Sequence, residues 1–408
     1  MTELLLLALL AQDTTQTAPN FEQRGYIENR ALFYPQKAPN DSARAIDQAE
    51  IRWDASYKFP PWLKLNVSLD ARADTHRQVD RALRVDLRDR TIQRPALSVR
   101  ELNAVIHKGK VTAELGRQII RWGKTDILTP TDRFAPRDYV SSVVDSDFLG
   151  VNAARLTIAG ASDSLDAVLQ PWFTPSRTPL LDQRWTALPS ELNGVSIIDA
   201  GARYPKRGQF GFRWNHLGSG YEFSLSYFDG YNNLPLFNTS FDPVAFTARA
   251  QRFYPTMRMY GADVAIPLPW ITLKGETGYF TTTTPGAQEY FLYVIQLERQ
   301  VKEWSFVGGY AGEVVTARAG NPLNFTPDRG FAKSFVGRAA LTIDVNRSLV
   351  LETVVRSAGS FARFEYSQTL GQHWRVTPGV AWLRGASTDF LGQYHRNSYA
   401  SLAVRYSF

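Results

Sequence analysis

The sequence predicts an all-β protein, a transmembrane antiparallel up-and-down β-barrel of about 18 strands, with 16 as the alternative. Three observations predict this fold. From residue 21 onward, segments of roughly 10 residues alternate apolar and polar side chains, as strands between lipid and water do. Tight turns and longer loops join these segments alternately. Aromatic residues make up 13% of the 408 residues, and no apolar run reaches the ~18 residues of a membrane helix.

The last segment, residues 397–408, shows this alternation clearly. One face is apolar and carries Ala400, Leu402, Val404, Tyr406 and Phe408, while the other is small and polar. A final strand ending on Phe resembles the closing strand of bacterial outer-membrane β-barrels, where it is also the assembly signal. The resemblance implies an integral outer-membrane protein surrounded by lipid, with Tyr406 and Phe408 recognised by the barrel-assembly machinery. A soluble β-sandwich that ends in the same way is the alternative.

Eighteen segments show the strand pattern. They are 21–34, 49–57, 63–72, 98–106, 111–122, 151–158, 165–172, 210–215, 221–228, 257–266, 271–280, 290–298, 304–315, 334–345, 349–356, 363–369, 375–383 and 397–408. An even number places both termini on one side, so we expect short turns at the periplasmic side and long loops at the extracellular side. A soluble propeller would repeat a motif every ~40–50 residues, and no such repeat is present.

The N-terminus predicts secretion. The apolar run from Leu4 to Ala11 has the length of a secretory h-region, so residues 1–11 are predicted to be a signal peptide. No Lys or Arg precedes the run and Glu3 does, so a buried apolar N-terminus is the alternative. Residues 12–20 are predicted to be a flexible segment and residues 21–408 a single barrel domain. The absence of cysteine suits passage through an oxidising periplasm.

A barrel of about 16–18 strands is too wide for its own side chains to fill, so it leaves an aqueous channel unless something plugs it. The strands begin too early in the chain for an N-terminal plug domain. The polar faces carry charges of both signs, which predicts a lumen wall braced by ion pairs. The predicted inward charges include Glu276, Arg338, Glu352 and Arg363. We therefore expect any narrowing of the channel to come from loops folded inward.

The net charge of +7 is compatible with nucleic acid, anionic lipid or an anionic solute as partner. No zinc-finger spacing, basic helix or RNA-recognition signature is present, so we expect no nucleic-acid partner. The first long loop, at about 73–95, is rich in arginine. Bridging of anionic lipopolysaccharide and attraction of anionic solutes are the two interpretations of this loop, whose arginines are Arg77, Arg81, Arg84, Arg88, Arg90 and Arg94.

Residues 114–139 form the most distinctive stretch. The alternation slips after Leu115, and a bulge at Gly116 would turn Arg117, Ile119 and Arg121 inward and Trp122 outward to the aromatic girdle. The following loop is rich in Pro, Asp and Arg, which predicts a constriction folded into the lumen. A plain surface loop is the alternative. The candidate constriction residues are Arg117, Arg121, Lys124, Arg133, Arg137, Asp126 and Asp132.

The run Gly-Arg-Gln…Trp-Gly at 116–123, followed by Pro-Thr-Asp and Pro-Arg-Asp-Tyr, resembles a little-characterised family of proteobacterial outer-membrane barrels. That family is similar to the alginate-export porins, which have 18-stranded barrels and an arginine-lined lumen. The resemblance implies a large barrel. Some relatives are thought to assist the export of lipids or other hydrophobic molecules together with inner-membrane transporters.

The leading functional hypothesis is a porin, a channel for the diffusion of small hydrophilic solutes, including anionic ones, in which pore width and fixed charges select. The alternatives are a specific export or uptake barrel for an acidic polysaccharide or a lipid, working with partner proteins, and an outer-membrane hydrolase. The five histidines lie in turns and loops, and no Ser–His–acid set can be assembled. We therefore expect no enzyme activity, no cofactor and no metal site.

Overall fold

Eighteen strands form one closed antiparallel barrel, which confirms the predicted fold class. The computed structural model describes residues 20–81, 88–126, 128–187, 195–317 and 325–408. The first and last strands close the barrel by pairing with each other, from Tyr26 opposite Ser407 to Phe33 opposite Ala400. The strands are β1 Phe21–Phe33, β2 Ala45–Lys58, β3 Leu63–Asp74, β4 Leu97–Lys108, β5 Val111–Gln118, β6 Val151–Ala159, β7 Asp163–Gln170, β8 Gln209–Gly218, β9 Tyr221–Tyr231, β10 Thr256–Pro267, β11 Thr272–Thr281, β12 Glu289–Val301, β13 Trp304–Ala317, β14 Ser334–Thr342, β15 Arg347–Val355, β16 Gly359–Leu370, β17 Trp374–Gly385 and β18 Tyr399–Ser407.

Eight connections of two to four residues lie at the same end of the barrel as Phe21 and Phe408. We call this the turn end, and the opposite one the loop end. Three of the tight turns contain a glycine in the left-handed region, where a side chain would be strained: Gly109 at φ 60°, Gly220 at φ 85° and Gly371 at φ 66°. Most connections at the loop end are longer, as predicted, and residues 119–150 and 171–208 are the longest.

The two faces of the wall differ in chemistry. Large apolar side chains such as Leu225, Phe335 and Leu402 are exposed on the outside, whereas polar ones such as Asp70 and Gln296 are buried on the inside. This is the apolar-out, polar-in arrangement that a lipid bilayer requires of a barrel. Within the described residues, no helix is long and apolar enough to cross a membrane.

Ion pairs between neighbouring strands brace the inner face, as the mixed charges predicted. On β2 and β3, Arg52 contacts Asp70 at 2.7 Å. On β6 and β7, Arg155 contacts Asp166 at 2.7 Å. Across the closing pair of strands, Arg405 contacts Glu28 at 2.6 Å. The wall is therefore a network of paired charges and not a lining of one sign.

The register near Gly116 corrects one prediction. Both neighbours of β5 pair with it continuously through Gly116, so there is no bulge at this position, and Gly116 instead takes φ 120°. A register shift is present instead in the pairing of β3 with β4, between Ser68 and Leu69, and another in the pairing of β12 with β13, between Glu289 and Tyr290. β5 ends at Gln118, not at Trp122, and Trp122 is only 3% exposed inside the protein instead of lying in an outer aromatic girdle.

Three short strands, Ser196–Arg203, Leu236–Asp242 and Thr247–Phe253, form a small sheet at the loop end. Some arginines of the first long loop hold the loops together: Arg94 donates to Asp138 at 2.8 Å, and Arg90 stacks on Tyr204 at 4.6 Å. Arg77, Arg81 and Arg88 are exposed. Arg84, the predicted signal peptide at 1–11 and most of the predicted flexible segment at 12–20 lie outside the described residues.

Candidate functional site in the barrel lumen

The long loop after β5 folds into the barrel. Its apolar residues Ile120, Trp122 and Phe134 are buried in one cluster with inward-facing wall residues that include Phe228 of β9 and Met259 of β10. The rings meet edge to face, Trp122 with Phe134 at 5.1 Å and Phe134 with Phe228 at 5.0 Å. Edge-to-face rings add to the stabilisation that burial provides. Residues 120–126 and 128–135 therefore occupy part of the lumen.

The wall is shaped to receive this loop. A Cβ on Gly211 of β8 would lie 2.9 Å from both Phe134 and Trp122, so glycine allows the two rings to approach. Opposite them, β12 is apolar on both faces over residues 290–295, because Leu292 and Val294 point inward into the same cluster. A strand with two apolar faces indicates that its inner face is covered by another part of the protein and not by water. This signal in the sequence could have located the wall surface on which the loop packs.

Glu276 of β11 anchors the loop. One carboxylate oxygen accepts hydrogen bonds from the backbone N–H groups of Lys124 and Thr125 at 2.8 and 3.0 Å and from the Thr125 hydroxyl at 2.8 Å. The other oxygen accepts from the backbone N–H and the hydroxyl of Thr131, both at 2.8 Å. Glu276 is only 2% exposed. Five donors around one buried carboxylate fix both ends of the segment 124–131 to the wall.

Further polar contacts hold the same segment. Asp132 accepts from the backbone N–H groups of Trp122 and Gly123 at 2.5 and 2.7 Å. On β12, the side-chain amide of Gln296 donates to Asp126 at 2.6 Å and accepts from the Asp126 backbone N–H at 3.0 Å. Asp126 is thus held by the wall, and Asp132 is held by the backbone of its own loop, as burial of such groups favours.

Buried ion pairs connect the loop after β5 with the loops after β3 and β7. Asp138 accepts from Arg94 at 2.8 Å and from Arg177 at 3.1 Å. Asp89 accepts from Arg117 at 2.8 Å and also from Arg177. Burial opposes the ionisation of Asp138, but Arg94 and Arg177 outweigh it and hold the pKa of this carboxyl group well below its usual range.

A cavity of about 390 Å³ remains between the folded-in loop and the wall formed by β13–β16. The loop side contributes Asp126, Asp132, Arg133, Arg137 and Asp145, and the wall side contributes Arg338, Glu352 and Arg363. Most of these charges are paired. Arg363 contacts Asp145 at 2.8 Å and Glu352 at 2.5 Å, and Arg338 contacts Glu352 at 3.3 Å.

Arg137 differs from the other cations in the cavity lining. Its guanidinium donates to the Thr129 hydroxyl at 3.2 Å and lies over the ring of Phe148 at 4.1 Å. Within the described residues, no carboxylate lies within ion-pairing distance of it. Arg121 lies over the same ring at 4.3 Å, so Phe148 contacts two guanidinium groups. The charge of Arg137 is therefore available to a solute in the cavity.

Four of the seven predicted constriction residues line this cavity: Asp126, Asp132, Arg133 and Arg137. The other three do not. Arg117 is buried against Asp89 among the loops, and Lys124 contacts Glu222 and Asp263 on the wall at 2.7 and 3.3 Å. Arg121 contacts Asp132 at 3.3 Å and is half exposed. Sequence alternation placed Arg338, Glu352 and Arg363 on the inner face, but it did not show that they face the loop.

The predicted assembly residues lie at the end of β18, where this strand pairs with β1. The ring of Tyr406 packs edge to face on Trp374 at 5.0 Å. Phe408 exchanges backbone hydrogen bonds with Gly25 at 2.9 and 3.0 Å, and a Cβ on Gly25 would lie 2.6 Å from the Phe408 ring. The last residue thus completes the closing strand pair, and its role as an assembly signal stays a prediction.

The described residues contain no group of three or more His, Cys, Asp or Glu side chains arranged to hold a metal ion. The described histidine side chains bond to Asp, Thr or backbone oxygen; His76, for example, contacts Asp41 at 2.8 Å. In this part of the chain, no serine hydroxyl bonds to a histidine ring. The described residues of the lumen present fixed charges and hydrogen-bonding groups.

No protein-family model matches the chain, and no curated protein matches it in sequence. Solved structures match its fold. A BenF-like porin from Pseudomonas fluorescens Pf-5 aligns with a TM-score of 0.54 at 10% identity, over 95% of this chain and 98% of that one. OccAB3 of Acinetobacter baumannii aligns with a TM-score of 0.56 at 8% identity, over 95% and 99%. The chain has the porin fold. These comparisons do not show the resemblance of the 116–139 stretch to the alginate-export type.

Proposed function

We propose that this porin-fold barrel is an integral outer-membrane channel through which small hydrophilic solutes diffuse. The observation that supports the proposal most strongly is the charged cavity of about 390 Å³ that remains beside the folded-in loop. A wide barrel with polar inner walls holds water, and a loop anchored inside it narrows the passage. Selection in such a passage depends on its width and on the fixed charges along it.

The lining charges argue for weak selectivity between cations and anions. Ion pairs neutralise most of them, including Arg363 with Asp145 and Glu352. Arg137 is the exception, because its only polar side-chain contact within the described residues is the Thr129 hydroxyl. We expect an anionic solute to meet this guanidinium, since guanidinium groups bind carboxylates and phosphates well.

Single-channel recording in planar bilayers tests the channel. We expect discrete current steps at a conductance well below that of an unobstructed barrel of this strand number. Barrels that are folded, as judged by a heat-dependent shift in gel mobility, but that pass no current would overturn the proposal. That outcome would favour an occluded barrel for a specific substrate working with partner proteins.

Reversal potentials in a salt gradient test the role of Arg137. Arg137→Gln should shift the reversal potential toward cation preference, and the shift should shrink near 1 M salt, where the Debye length is about 3 Å. Arg384→Gln is the matched control, because Arg384 is exposed and shares the outward face of β17 with Trp382. Equal reversal potentials for the two variants would place Arg137 outside the conduction path.

A further inference from the structure

A charged cluster lies on the outside of the barrel near the loop end of β9 and β10. Asp229 of β9 accepts hydrogen bonds from Arg258 of β10 at 3.0 Å and from Arg207, which lies just before β8. The Tyr227 hydroxyl approaches the same carboxylate at 3.4 Å. The channel proposal does not use this cluster, because the cluster does not face the lumen.

Its outward direction follows from the strand periodicity. Phe228, Met257 and Met259 point inward into the buried cluster under the loop, so Asp229 and Arg258, their neighbours in the chain, point outward. Asp229 and Arg258 are directly opposite each other in the register. Outward-facing apolar and aromatic side chains continue from the cluster toward the middle of the barrel, among them Leu225 and Tyr260.

The cluster has one more positive charge than negative. Asp229 is the one carboxylate in ion-pairing contact with Arg207 or Arg258 within the described residues. Both arginine side chains nevertheless remain 54% exposed, and Lys206 beside them is also exposed. Each guanidinium uses only part of its set of N–H donors on Asp229. Arg207 also lies against the ring of Tyr231 at 5.7 Å. The exposed parts of both guanidinium groups face the outside, where the apolar belt ends.

We propose that Arg207 and Arg258 bind the phosphate of a lipid headgroup in the outer leaflet. A planar guanidinium matches a phosphate in a two-point hydrogen bond, and the belt below offers apolar and ring surface to the acyl chains. Asp229 holds the two guanidiniums together and lowers the net charge of the site. This inference rests on the proposed membrane location of the barrel, but not on conduction through it.

Binding of bisphosphorylated lipid A to the purified barrel in detergent micelles tests the site, with the same lipid stripped of its phosphates as the comparison probe. Each basic residue near a lipid surface contributes ~1 kcal/mol, which is about fivefold in affinity. The double variant Arg207→Gln/Arg258→Gln should therefore weaken binding of the phosphorylated lipid about thirtyfold, and it should leave the stripped lipid unaffected.

Asp229→Asn separates lipid binding from a purely structural role. It removes the one negative charge of the site, so binding of the phosphorylated lipid should strengthen about fivefold. If the cluster only braces the strands, Asp229→Asn weakens binding together with the double variant, and the proposal fails. Arg347→Gln is the matched control, because Arg347 is a half-exposed arginine paired with Asp344 at the turn end. Its affinity should equal that of the unmodified protein.

Folding of every variant is checked by heat-dependent gel mobility and by conductance. A double variant that conducts normally and still binds phosphorylated lipid A with the original affinity overturns the lipid site and leaves the channel proposal standing. A protein that discriminates between the two lipids but passes no current overturns the channel proposal and leaves the lipid site standing. If the double variant does not fold, Asp229→Asn and the two lipid probes on the unmodified protein decide the question.

Discussion

Glu276→Gln is the substitution that tests the folded-in loop most sharply. The change is nearly isosteric and leaves one oxygen to accept hydrogen bonds. The glutamine amide can take two orientations. In one, its NH₂ group faces the backbone N–H of Thr131; in the other, it faces the backbone N–H groups of Lys124 and Thr125. Two donors then face each other in either orientation. The carboxylate thus loses its charge, and at least one buried donor loses its acceptor.

The size of the effect follows from the contacts. An unsatisfied buried donor costs about 1–3 kcal/mol, and a hydrogen bond to a charged group is worth roughly 1 kcal/mol more than one to a neutral group. With five donors on Glu276, the packed loop is destabilised by roughly 4 kcal/mol. Because Glu276 is only 2% exposed, solvent screens little of this. The detached population should rise by about three orders of magnitude.

Limited trypsin digestion followed by mass spectrometry measures that population, since Lys124 is cleaved only when the loop leaves the wall. We expect cleavage after Lys124 to be much faster in Glu276→Gln, and single-channel currents to be larger and noisier. Glu28→Gln is the control, because Glu28 lies on the inner face of β1 and contacts Arg405 of β18 at 2.6 Å and not the loop. It removes the same charge from the lumen. Equal cleavage rates in the two variants would refute the anchoring role of Glu276.

Three further predictions concern other parts of the chain. Deletion of Phe408 should lower the amount of barrel in the membrane, because the last residue pairs with Gly25; normal levels would show that it is no assembly signal. Because the pKa of Asp138 is depressed in the folded protein, its ionised carboxylate stabilises the loops at any pH above its unfolded pKa of about 4. The thermal midpoint in detergent should therefore decrease as the pH is lowered from about 4 to 2, and this decrease should be smaller in Asp138→Asn. Trp122→Ala should destabilise the packed loop by about 3–5 kcal/mol, seen as faster cleavage at Lys124, whereas unchanged cleavage would contradict the buried position of Trp122.

The alternation of side chains was sufficient to predict the barrel. The period of two is a direct consequence of strand geometry, so the eighteen strands of the structure overlap the eighteen predicted segments. The closing strand was also predicted correctly in its faces, with Leu402 exposed outside and Arg405 paired to Glu28 inside. Strand ends were less accurate: β5 ends at Gln118 and not at Trp122, and Gly116 takes φ 120° within a continuous pairing and without an inserted residue.

The interior of the lumen was harder to predict. Residues 111–122 were predicted as one strand with Trp122 in the outer aromatic girdle, since a wet lumen offers no apolar surface. In the structure Ile120 and Trp122 share a buried cluster with Met259 and Leu292, and those wall residues break the apolar-out, polar-in rule. Glu276 was recognised only as one more inward charge, because its partners are backbone N–H groups of a loop 145–152 residues away, and alternation carries no information about such contacts.

A single cysteine in the cavity tests most directly whether solutes pass beside the folded-in loop. The chain has no cysteine of its own, so Asp126→Cys introduces the one reactive thiol, at a position that lines the cavity. Addition of a water-soluble sulfonated thiol reagent during single-channel recording should lower the current in one step per channel. Leu225→Cys on the outer face should show no step. A current that stays constant while mass spectrometry shows complete modification of Asp126→Cys would contradict a conduction path through this cavity.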